Sequence, residues 1–380
     1  MTETSEAGPE GATACDARIE RVEVSAYTVP TDGPDGKEAD GTLVWSSTTM
    51  VLVEVQAGGK VGLGYTYGDA AVARLIASTL KPEIEGKSAA LVGALWRGLD
   101  AHVRNTGRSG VGALARSAVD IALWDLKAKL LDLPLFLALP PFRDRVPIYG
   151  SGGFCNYPLA RLAAQVSAWA KQGIPRMKIK TSRAPEQDPE RLAVCRAALG
   201  DDPVLMTDAN GALSRKEALT WAWRFRERWN VAWLEEPVSS DDLEGLRLVR
   251  DQGPPGLEVA AGEYGFVLRD FRELLLAGAV DCLQADVTRC GGISGLLQVA
   301  GLCAAHALEL SAHCAPAVSA HAFCAVPRLR HLEYFHDHVR LENMLFDGVS
   351  EPVKGSLRPD RTRPGLGIEL KRKDAERYRI

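Results

Sequence analysis

The first part of the chain combines strand-like and helix-like patterns of apolar residues. Residues 18–29 (RIERVEVSAYTV) alternate apolar with polar positions, and two further strand-like stretches, 46–57 and 60–67, flank a Gly-Gly pair. Such runs predict an antiparallel sheet with a tight turn. Residues 90–99 and 110–139 carry apolar side chains at helical spacing, among them Ile121, Trp124 and Leu130. Together the patterns predict a small α+β unit.

From Val146 onward, short apolar strands alternate with helical segments. The strand-like stretches are VPIYGSGG, RMKIK, VLMTDAN, AWLEEP, LEVAAGE, CLQADV, ELSAHC and HLEYF. Alternation of this kind predicts βα units and a parallel sheet. Eight such units in about 200 residues predict an α/β fold of the TIM-barrel type and not an open sheet.

The composition changes this picture little. The 380 residues are 46% hydrophobic and 25% charged, with a net charge of −4, which is ordinary for a globular protein. We therefore expect neither nucleic acid nor a membrane as a partner. The first residues show no basic stretch followed by an apolar one, so we expect no secretory signal and a cytoplasmic location. Eight cysteines without a CxxC pair fit a reducing compartment, and the composition of residues 1–16 predicts a disordered tail.

Polar residues recur at the ends of the predicted barrel strands. A single polar residue at such a place often only caps the next helix. Here the strand ends lie 20 to 28 residues apart, about one βα unit, and carry Lys178 and Lys180, Asp208 and Asn210, Glu235 and Glu236, Glu263, Asp286, His313, and Glu333. Residues in such register are expected to converge on the carboxyl end of the barrel, where barrel enzymes build their active sites.

Lys178 and Lys180 stand two residues apart and therefore on the same face of their strand. Lysines on an edge strand discourage unwanted strand pairing, and this is one explanation of the pair. The other explanation is a site that directs two ammonium groups at one anion. Taken alone, the stretch favours the edge-strand explanation.

Asp208, Glu235 and Glu263 follow three neighbouring predicted strands, so their carboxylates are expected to meet. Close carboxylates repel one another unless they are neutralised, and hard oxygen ligands suit Mg²⁺. Pairing of the three carboxylates with arginines is the alternative. We predict one Mg²⁺ per subunit at this position.

In these motifs the chain resembles the mandelate racemase subgroup of the enolase superfamily. The motifs are KIK at 178–180, TDAN at 207–210, LEEP at 234–237, AGE at 261–263, QAD at 284–286, SAHC at 311–314, LEYF at 332–335 and the helical stretch at 117–139. The resemblance implies a barrel at residues 144–347, closed by an N-terminal α+β capping domain at residues 17–143. It also implies that residues 348–380 return to the cap.

The resemblance further implies a role for each polar strand end. Lys180 would be a general base on one face of the substrate, with Lys178 beside the substrate carboxylate and lowering the proton affinity of Lys180. His313 would act from the opposite face, oriented by Asp286. Glu333, in its protonated form, would donate a hydrogen bond to the developing oxyanion. Mg²⁺ would stabilise the enediolate that forms when a proton α to a carboxylate is removed.

Two reactions fit the same residues. If His313 protonates a departing β-hydroxyl, the enzyme is an acid-sugar dehydratase, a hydro-lyase that forms a 2-keto-3-deoxy acid. If it returns the proton to the α-carbon, the enzyme is a racemase or epimerase of a 2-hydroxy acid. The abundance of acid-sugar dehydratases in the subgroup favours dehydration. A catalytically silent metal-binding scaffold or sensor is a third hypothesis, which the presence of every expected ligand and base opposes.

Specificity is expected to reside in the cap. The loop at 30–42 and the turn at 64–69 are placed to cover the barrel mouth, as lids do. Candidate contacts to a small-molecule carboxylate substrate are Asn210, Tyr65, Tyr67, Trp45, His336 and Lys178. Packing of cap against barrel explains the aromatic residues equally well. The subgroup often forms symmetric assemblies, so a homo-oligomer is expected.

Overall fold

The computed structural model describes residues 16–200 and 202–380. Apart from Asp16, the predicted tail lies outside the described residues. The chain begins with a cap whose strands are β1 (Arg21–Pro30), β2 (Glu38–Ala39), β3 (Val44–Trp45), β4 (Ser47–Ala57) and β5 (Lys60–Tyr67). Its helices are α1 (Ala71–Leu75), continued by a π-helical turn (Ile76–Leu80), α2 (Lys81–Ile84), α3 (Val92–His102), α4 (Val111–Leu130) and α5 (Leu135–Ala138).

Strands β1, β4 and β5 form the predicted antiparallel sheet. The turn between β4 and β5 is the Gly-Gly pair, in which Gly58 and Gly59 have φ angles of 54° and 70°. Positive φ at both central residues suits the right-handed twist of a hairpin, and glycine adopts it without steric cost. One face of this sheet packs on α4 around a core that includes Val53, Val55 and Leu126.

Two glycines let β5 approach α4 closely. A Cβ atom on Gly64 would lie 2.2 Å from the carbonyl oxygen of Ala118 and 2.4 Å from the amide nitrogen of Ala122. A Cβ atom on Gly62 would lie 2.2 Å from the carbonyl oxygen of Ala122. These contacts are with helix backbone, so a side chain at either position would force the sheet and helix apart.

We expect Gly64→Ala to destabilise the protein by about 1–3 kcal/mol or more, because overpacking against backbone is not relieved by side-chain rotation. Thermal unfolding followed by circular dichroism measures the effect. Gly98→Ala in α3 is the matched control, since a Cβ atom there meets no atom within 4 Å, and it should raise stability by about 0.5–1 kcal/mol. Equal melting temperatures of the two variants would contradict the packing argument.

The second part of the chain is a barrel of eight strands and the helices that follow them. The strands are β6 (Val146–Gly152), β7 (Arg176–Lys180), β8 (Val204–Asp208), β9 (Val231–Glu235), β10 (Glu258–Ala261), β11 (Cys282–Ala285), β12 (Glu309–Ala312) and β13 (Leu329–Phe335). The helices are α6 (Leu159–Lys171), α7 (Asp188–Leu199), α8 (Arg215–Trp229), α9 (Leu243–Gln252), α10 (Leu268–Ala277), α11 (Gly292–Ala305), α12 (Pro316–Ala322) and α13 (His336–Leu345).

All eight strands pair in parallel with their sequence neighbours, and β13 pairs with β6 to close the ring. The predicted TIM-type barrel with an N-terminal α+β domain is therefore confirmed. The barrel interior holds a small apolar cluster formed by Tyr149, Met206, Trp233, Ala260 and Cys282. A much larger core lies between the strands and the surrounding helices.

The last residues run back to the cap. They form β14 (Phe346–Asp347), β15 (Ser356–Leu357), β16 (Glu369–Leu370) and α14 (Arg372–Glu376). The carbonyl oxygen of Tyr378 accepts a hydrogen bond from the Thr28 amide at 2.8 Å, and Arg372 pairs with Glu54 at 2.6 Å. These contacts join the end of the chain to β1 and β4.

Hydrogen bonds between α4 and the start of α11 fix the cap on the barrel. The carboxylate of Asp120 accepts from the Ser294 amide at 2.9 Å and from its hydroxyl at 2.6 Å. Ser117 accepts from the Gly291 and Gly292 amides at 2.9 and 3.1 Å. An acceptor at a helix N-terminus satisfies amides that lack helical partners. None of the helices in the described part of the chain has the length and apolarity needed to cross a membrane.

Candidate active site

Three buried carboxylates meet at the carboxyl end of the barrel. Asp208 and Glu235 are the last residues of β8 and β9, and Glu263 follows β10 by two residues. One oxygen from each lies within 4.8 Å of the others, and none of the three residues is more than 4% exposed. Neighbouring parallel strands end at the same edge, which brings these side chains together.

Neutral donors orient these carboxylates. Trp233 Nε1 and Gln284 Nε2 donate to Oε2 of Glu235 at 3.0 and 2.9 Å. The backbone amide of Asn210 donates to Oδ1 of Asp208 at 2.8 Å. Such bonds hold a ligating oxygen in position before any ligand arrives.

Both lysines of β7 point to these carboxylates. Lys180 Nζ lies 2.5 Å from Asp208 Oδ2. Lys178 is fully buried, contacts Glu235 and lies 2.8 Å from Oε1 of Glu333. Because β7 is flanked on both sides by β6 and β8, the edge-strand explanation of the lysine pair is wrong.

The expected fall in the proton affinity of Lys180 is only one contribution among several. Burial lowers the pKa of Lys180, Asp208 raises it, and Lys178 lowers it. The carboxylate prevails, and the pKa of Lys180 lies well above its ordinary value. The charge of Lys178 acts as predicted, but Asp208 reverses the net direction.

His313, which follows β12, is oriented by Asp286. Its Nδ1 lies 2.8 Å from Oδ2 of Asp286, whose other oxygen accepts from the amide and hydroxyl of Thr288, each at 2.7 Å. This bond leaves Nε2 facing the carboxylates, 3.0 Å from Oε2 of Glu263. Burial lowers the pKa of His313, but the acidic groups around it outweigh burial and hold that pKa well above its usual value.

Glu333, in β13, is expected to be protonated, and its surroundings do not favour that form. Its Oε1 accepts from Ser151 Oγ at 2.6 Å and lies 2.8 Å from Lys178 Nζ. Burial raises the pKa of Glu333, but Lys178 and His313 lower it by more, so that the pKa falls below its ordinary value. The two cations beside Glu333 favour the carboxylate form.

The three-carboxylate set fits a hard divalent cation. Each ligand supplies oxygen, the donor that Mg²⁺ prefers. Burial raises the pKa of Glu235 to about 8, even though Lys178 opposes this shift. The ionised form of Glu235 therefore calls for more positive charge than Lys178 gives it. Asp208, Glu235 and Glu263 are the residues that would hold such a cation.

A cavity of about 440 Å³ lies between this set and the cap. Lys180, Asn210, His313 and Glu333 line its barrel side. The cap side is lined by Asp40, Leu43, Trp45, Ser47, Thr48, Thr49, Tyr67, Gly68 and Asp69. Of the predicted substrate contacts, Asn210 and Trp45 thus reach the cavity, whereas Lys178 lies beneath it among the carboxylates.

Tyr65 and His336 do not line the cavity. Tyr65 is fully buried, and its hydroxyl donates to Glu342 at 2.6 Å. His336 Nε2 lies 2.9 Å from Oδ1 of Asp32 in the cap loop. Tyr67, the other candidate tyrosine, does line the cavity, and it stacks on the His338 ring with ring centroids 3.5 Å apart.

The loop at 30–42 is bonded to the barrel. The Cys155 amide donates to the Ala39 carbonyl at 2.7 Å, and Asn156 Oδ1 accepts from the Ala39 amide at 3.1 Å. Arg161 pairs with Asp32 at 3.1 Å. The loop is therefore held against the residues that follow the first barrel strand, at the rim of the cavity.

Sequence reasoning missed the barrel residues that donate hydrogen bonds to the site carboxylates from below. Gln284, Trp233 and Ser151 each hold a site carboxylate, yet none was proposed from the sequence. Their signal was present, since Gln284 and Trp233 stand two residues before Asp286 and Glu235. Side chains two apart in a strand share a face. Cys314 also adjoins the site, 3.3 Å from Oε2 of Glu333.

Comparisons with known proteins agree with this geometry. Residues 38–139 match the model of the mandelate racemase / muconate lactonizing enzyme N-terminal domain. Residues 161–375 match the model of the enolase C-terminal domain-like family. The two models together span most of the cap and barrel.

Individual relatives cover nearly the whole chain. The 3,6-anhydro-alpha-L-galactonate cycloisomerase of Streptomyces coelicolor is 32% identical over 93% of this chain and 97% of its own. The L-talarate/galactarate dehydratase of Salmonella typhimurium is 34% identical over 93% of this chain and 89% of its own.

Solved structures show the same fold. A mandelate racemase/muconate lactonizing enzyme-like protein from Rubrobacter xylanophilus has 60% sequence identity and a TM-score of 0.93, with 96% of this chain and 100% of that chain covered. The Salmonella typhimurium dehydratase, solved with Mg and L-lyxarohydroxamate, gives a TM-score of 0.87 at 30% identity, covering 100% of this chain and 97% of its own. By sequence, fold and arrangement of polar strand ends, the chain belongs to the mandelate racemase/muconate lactonizing enzyme family of the enolase superfamily.

Proposed function

We propose that the protein is a Mg²⁺-dependent acid-sugar dehydratase that removes the proton α to a carboxylate and expels a β-hydroxyl. One observation carries the proposal. Lys180 and His313 line one cavity from different strands of the barrel, with the three-carboxylate set between them, and Asp286 holds the His313 ring from outside the cavity. A proton on either face of a bound α-carbon would thus have a base within the site.

The residues divide the chemistry as follows. Lys180, in its neutral amine form, takes the α-proton, which leaves an enediolate on the substrate. A cation held by Asp208 would weaken the hold of that carboxylate on the proton of Lys180 and so favour the amine form. His313 Nε2 gives a proton to the departing β-hydroxyl, which leaves as water, and the resulting enol tautomerises to a 2-keto-3-deoxy acid. Asp286 holds the His313 ring by its Nδ1 throughout. Mg²⁺ held by Asp208, Glu235 and Glu263 would supply Lewis-acid stabilisation of the negative charge.

Dehydration is preferred to inversion because of the relatives. The Salmonella typhimurium protein is named a dehydratase of L-talarate and galactarate, and further relatives are named dehydratases of D-gluconate and arabinonate. Racemisation would use the same two bases and remains the outcome to be distinguished by product analysis. The homo-oligomeric state stays a prediction.

The charge of the cavity supports a substrate with one carboxylate. On the cap side the ionisable groups other than Tyr67 are Asp40 and Asp69, both acidic. On the barrel side, the charge of Arg289 is already paired with Asp286 at 3.4 Å and is not free for a second substrate carboxylate. Burial lowers the pKa of His338 to about 3, which leaves it neutral. A second carboxylate at the cap end would meet like charge, so a neutral polyhydroxy tail fits better.

We therefore expect aldonic acids to be dehydrated at least about a hundredfold more efficiently, by kcat/KM, than aldaric acids of the same configuration, since like charges in a site cost several kcal/mol. The assay compares gluconate with glucarate and galactonate with galactarate, with Mg²⁺ present, and follows 2-keto-3-deoxy product. Asp40→Asn removes one of the acidic groups at the cap end, so it should reduce the ratio of kcat/KM for aldonic acids to kcat/KM for aldaric acids.

The outcomes separate the two parts of the proposal. Preference for aldaric acids would contradict only the charge argument. Absence of both keto product and α-proton exchange with every acid tested would reject dehydratase and racemase alike and favour the metal-binding scaffold. Exchange and inversion without keto product would identify a racemase.

A further inference from the structure

A second group of metal-ligand side chains joins the cap loop to the barrel. Asp32 and Glu38 belong to the loop at 30–42, and His336 and Asp337 begin α13, directly after the last barrel strand. One oxygen or ring nitrogen from each of the four lies within 4.8 Å of the others. The group shares no residue with the three-carboxylate set, although Asp337 also reaches the cavity wall.

Two carboxylates of this group are buried and only half satisfied. Glu38 is fully buried and Asp337 is 1% exposed. Tyr157 donates to Oε1 of Glu38 at 3.2 Å, and Trp45 donates to Oδ2 of Asp337 at 3.2 Å. Within the described residues, no donor reaches Oε2 of Glu38 or Oδ1 of Asp337. A buried acceptor without a partner lowers stability, and a buried charge does so more strongly.

The positive charge near the group is concentrated on one carboxylate. Asp32 pairs with Arg161 at 3.1 Å, and its Oδ1 lies 2.9 Å from Nε2 of His336. Among the described residues, neither Glu38 nor Asp337 forms an ion pair. Burial, and after it the charge of Asp337, raises the pKa of Glu38 to about 10. The group therefore requires either a proton or a cation between these oxygens.

We propose that Asp32, Glu38, His336 and Asp337 bind a divalent first-row cation that ties the cap loop to the barrel. Carboxylate oxygens bind Mn²⁺ well, and imidazole nitrogen binds other first-row ions such as Fe²⁺ and Zn²⁺. A set that mixes the two kinds of ligand therefore favours a first-row ion over Ca²⁺. Two ligands come from the loop and two from the last strand end. Occupancy of the site would hold the loop at 30–42 over the cavity.

Counting bound Mn²⁺ by equilibrium dialysis tests the site. We expect two Mn²⁺ per unmodified chain, one of them in the three-carboxylate set, and one per chain in the double variant Glu38→Gln/Asp337→Asn. Asp35→Asn is the matched control, since Asp35 lies in the same loop but is exposed and outside the group. The Asp35→Asn protein should still bind two Mn²⁺ per chain.

A second measurement localises the ion. In Asp208→Asn, which removes a ligand of the first set, Mn²⁺ should still slow amide hydrogen exchange of residues 37–43 by at least tenfold, and adding Glu38→Gln should abolish this protection. If Asp208→Asn shows no Mn²⁺-dependent protection of the loop, or if the Glu38→Gln/Asp337→Asn protein binds as many ions as the unmodified chain, the site does not exist. A proton shared by Glu38 and Asp337 would then explain the group.

Discussion

His313→Asn is expected to stop product formation while leaving exchange of the α-proton intact. Lys180 and His313 line the same cavity from β7 and from the end of β12. Asparagine cannot give a proton to the departing hydroxyl, yet Lys180 still reaches the α-proton on its own face. Dehydration should fall by about 10²–10⁴-fold, the usual contribution of a positioned acid or base. Proton NMR in ²H₂O, with both stereoisomers at the α-carbon, measures exchange and product together.

Lys180→Ala is the complementary variant. It should lose exchange with the stereoisomer that the His313 variant exchanges, and exchange of the opposite stereoisomer by His313 should survive. Asp286→Asn should resemble a weakened His313 variant, since it disturbs the ring held through Nδ1 without removing it. If His313→Asn and Lys180→Ala both lost exchange from the same stereoisomer and both kept exchange from the other, either Lys180 or His313 would have to be reassigned to binding.

Asp208→Asn, Glu235→Gln and Glu263→Gln are each expected to weaken Mg²⁺ binding and remove turnover. Lewis-acid stabilisation is worth several kcal/mol, so we expect kcat to fall by about 10³-fold or more. Isothermal titration calorimetry gives the Mg²⁺ affinity, and product formation gives the rate. Asp208→Asn also leaves Lys180 without the partner that lies 2.5 Å away, so its melting temperature should be recorded as well.

Glu236→Gln is the matched control for the ligand variants. Glu236 is the next residue along the chain and is also buried, but it lies outside the three-carboxylate set. Its Mg²⁺ affinity should stay within a few-fold of the unmodified protein. Unchanged Mg²⁺ affinity in all three ligand variants would show that the assignment of Asp208, Glu235 and Glu263 is wrong.

The barrel and its polar strand ends were predictable because both depend on local regularities. Strand and helix alternate with a repeat that the sequence shows directly, and parallel strands end at one edge. That rule brought Asp208, Glu235 and Glu263 together correctly. The Gly-Gly hairpin was predictable for the same reason, since its turn needs residues that accept positive φ.

Depth and long-range pairing were not predictable. Tyr65 and Tyr67 stand two apart and share a face, so the sequence cannot show that only Tyr67 reaches the cavity. The pairing of Glu333 with Lys178, at 2.8 Å, joins residues more than 150 positions apart in the sequence. Asn210 and Glu236 have φ angles of 46° and 38°, a left-handed conformation that tertiary contacts impose on residues other than glycine.

The split of the cavity wall between the two parts of the chain has a consequence for evolution and engineering. The residues proposed to move the proton, Lys180 and His313, come from barrel strand ends, whereas the opposite wall of the cavity comes from a short run of the cap, Asp40 to Asp69. If the cap sets the choice of substrate, replacing residues 30–69 with those of a relative should transfer the relative's choice of acid and leave the reaction unchanged. Asp32 in the replaced segment contacts His336 at the start of α13. The replacement should therefore include the relative's residue at position 336 as well.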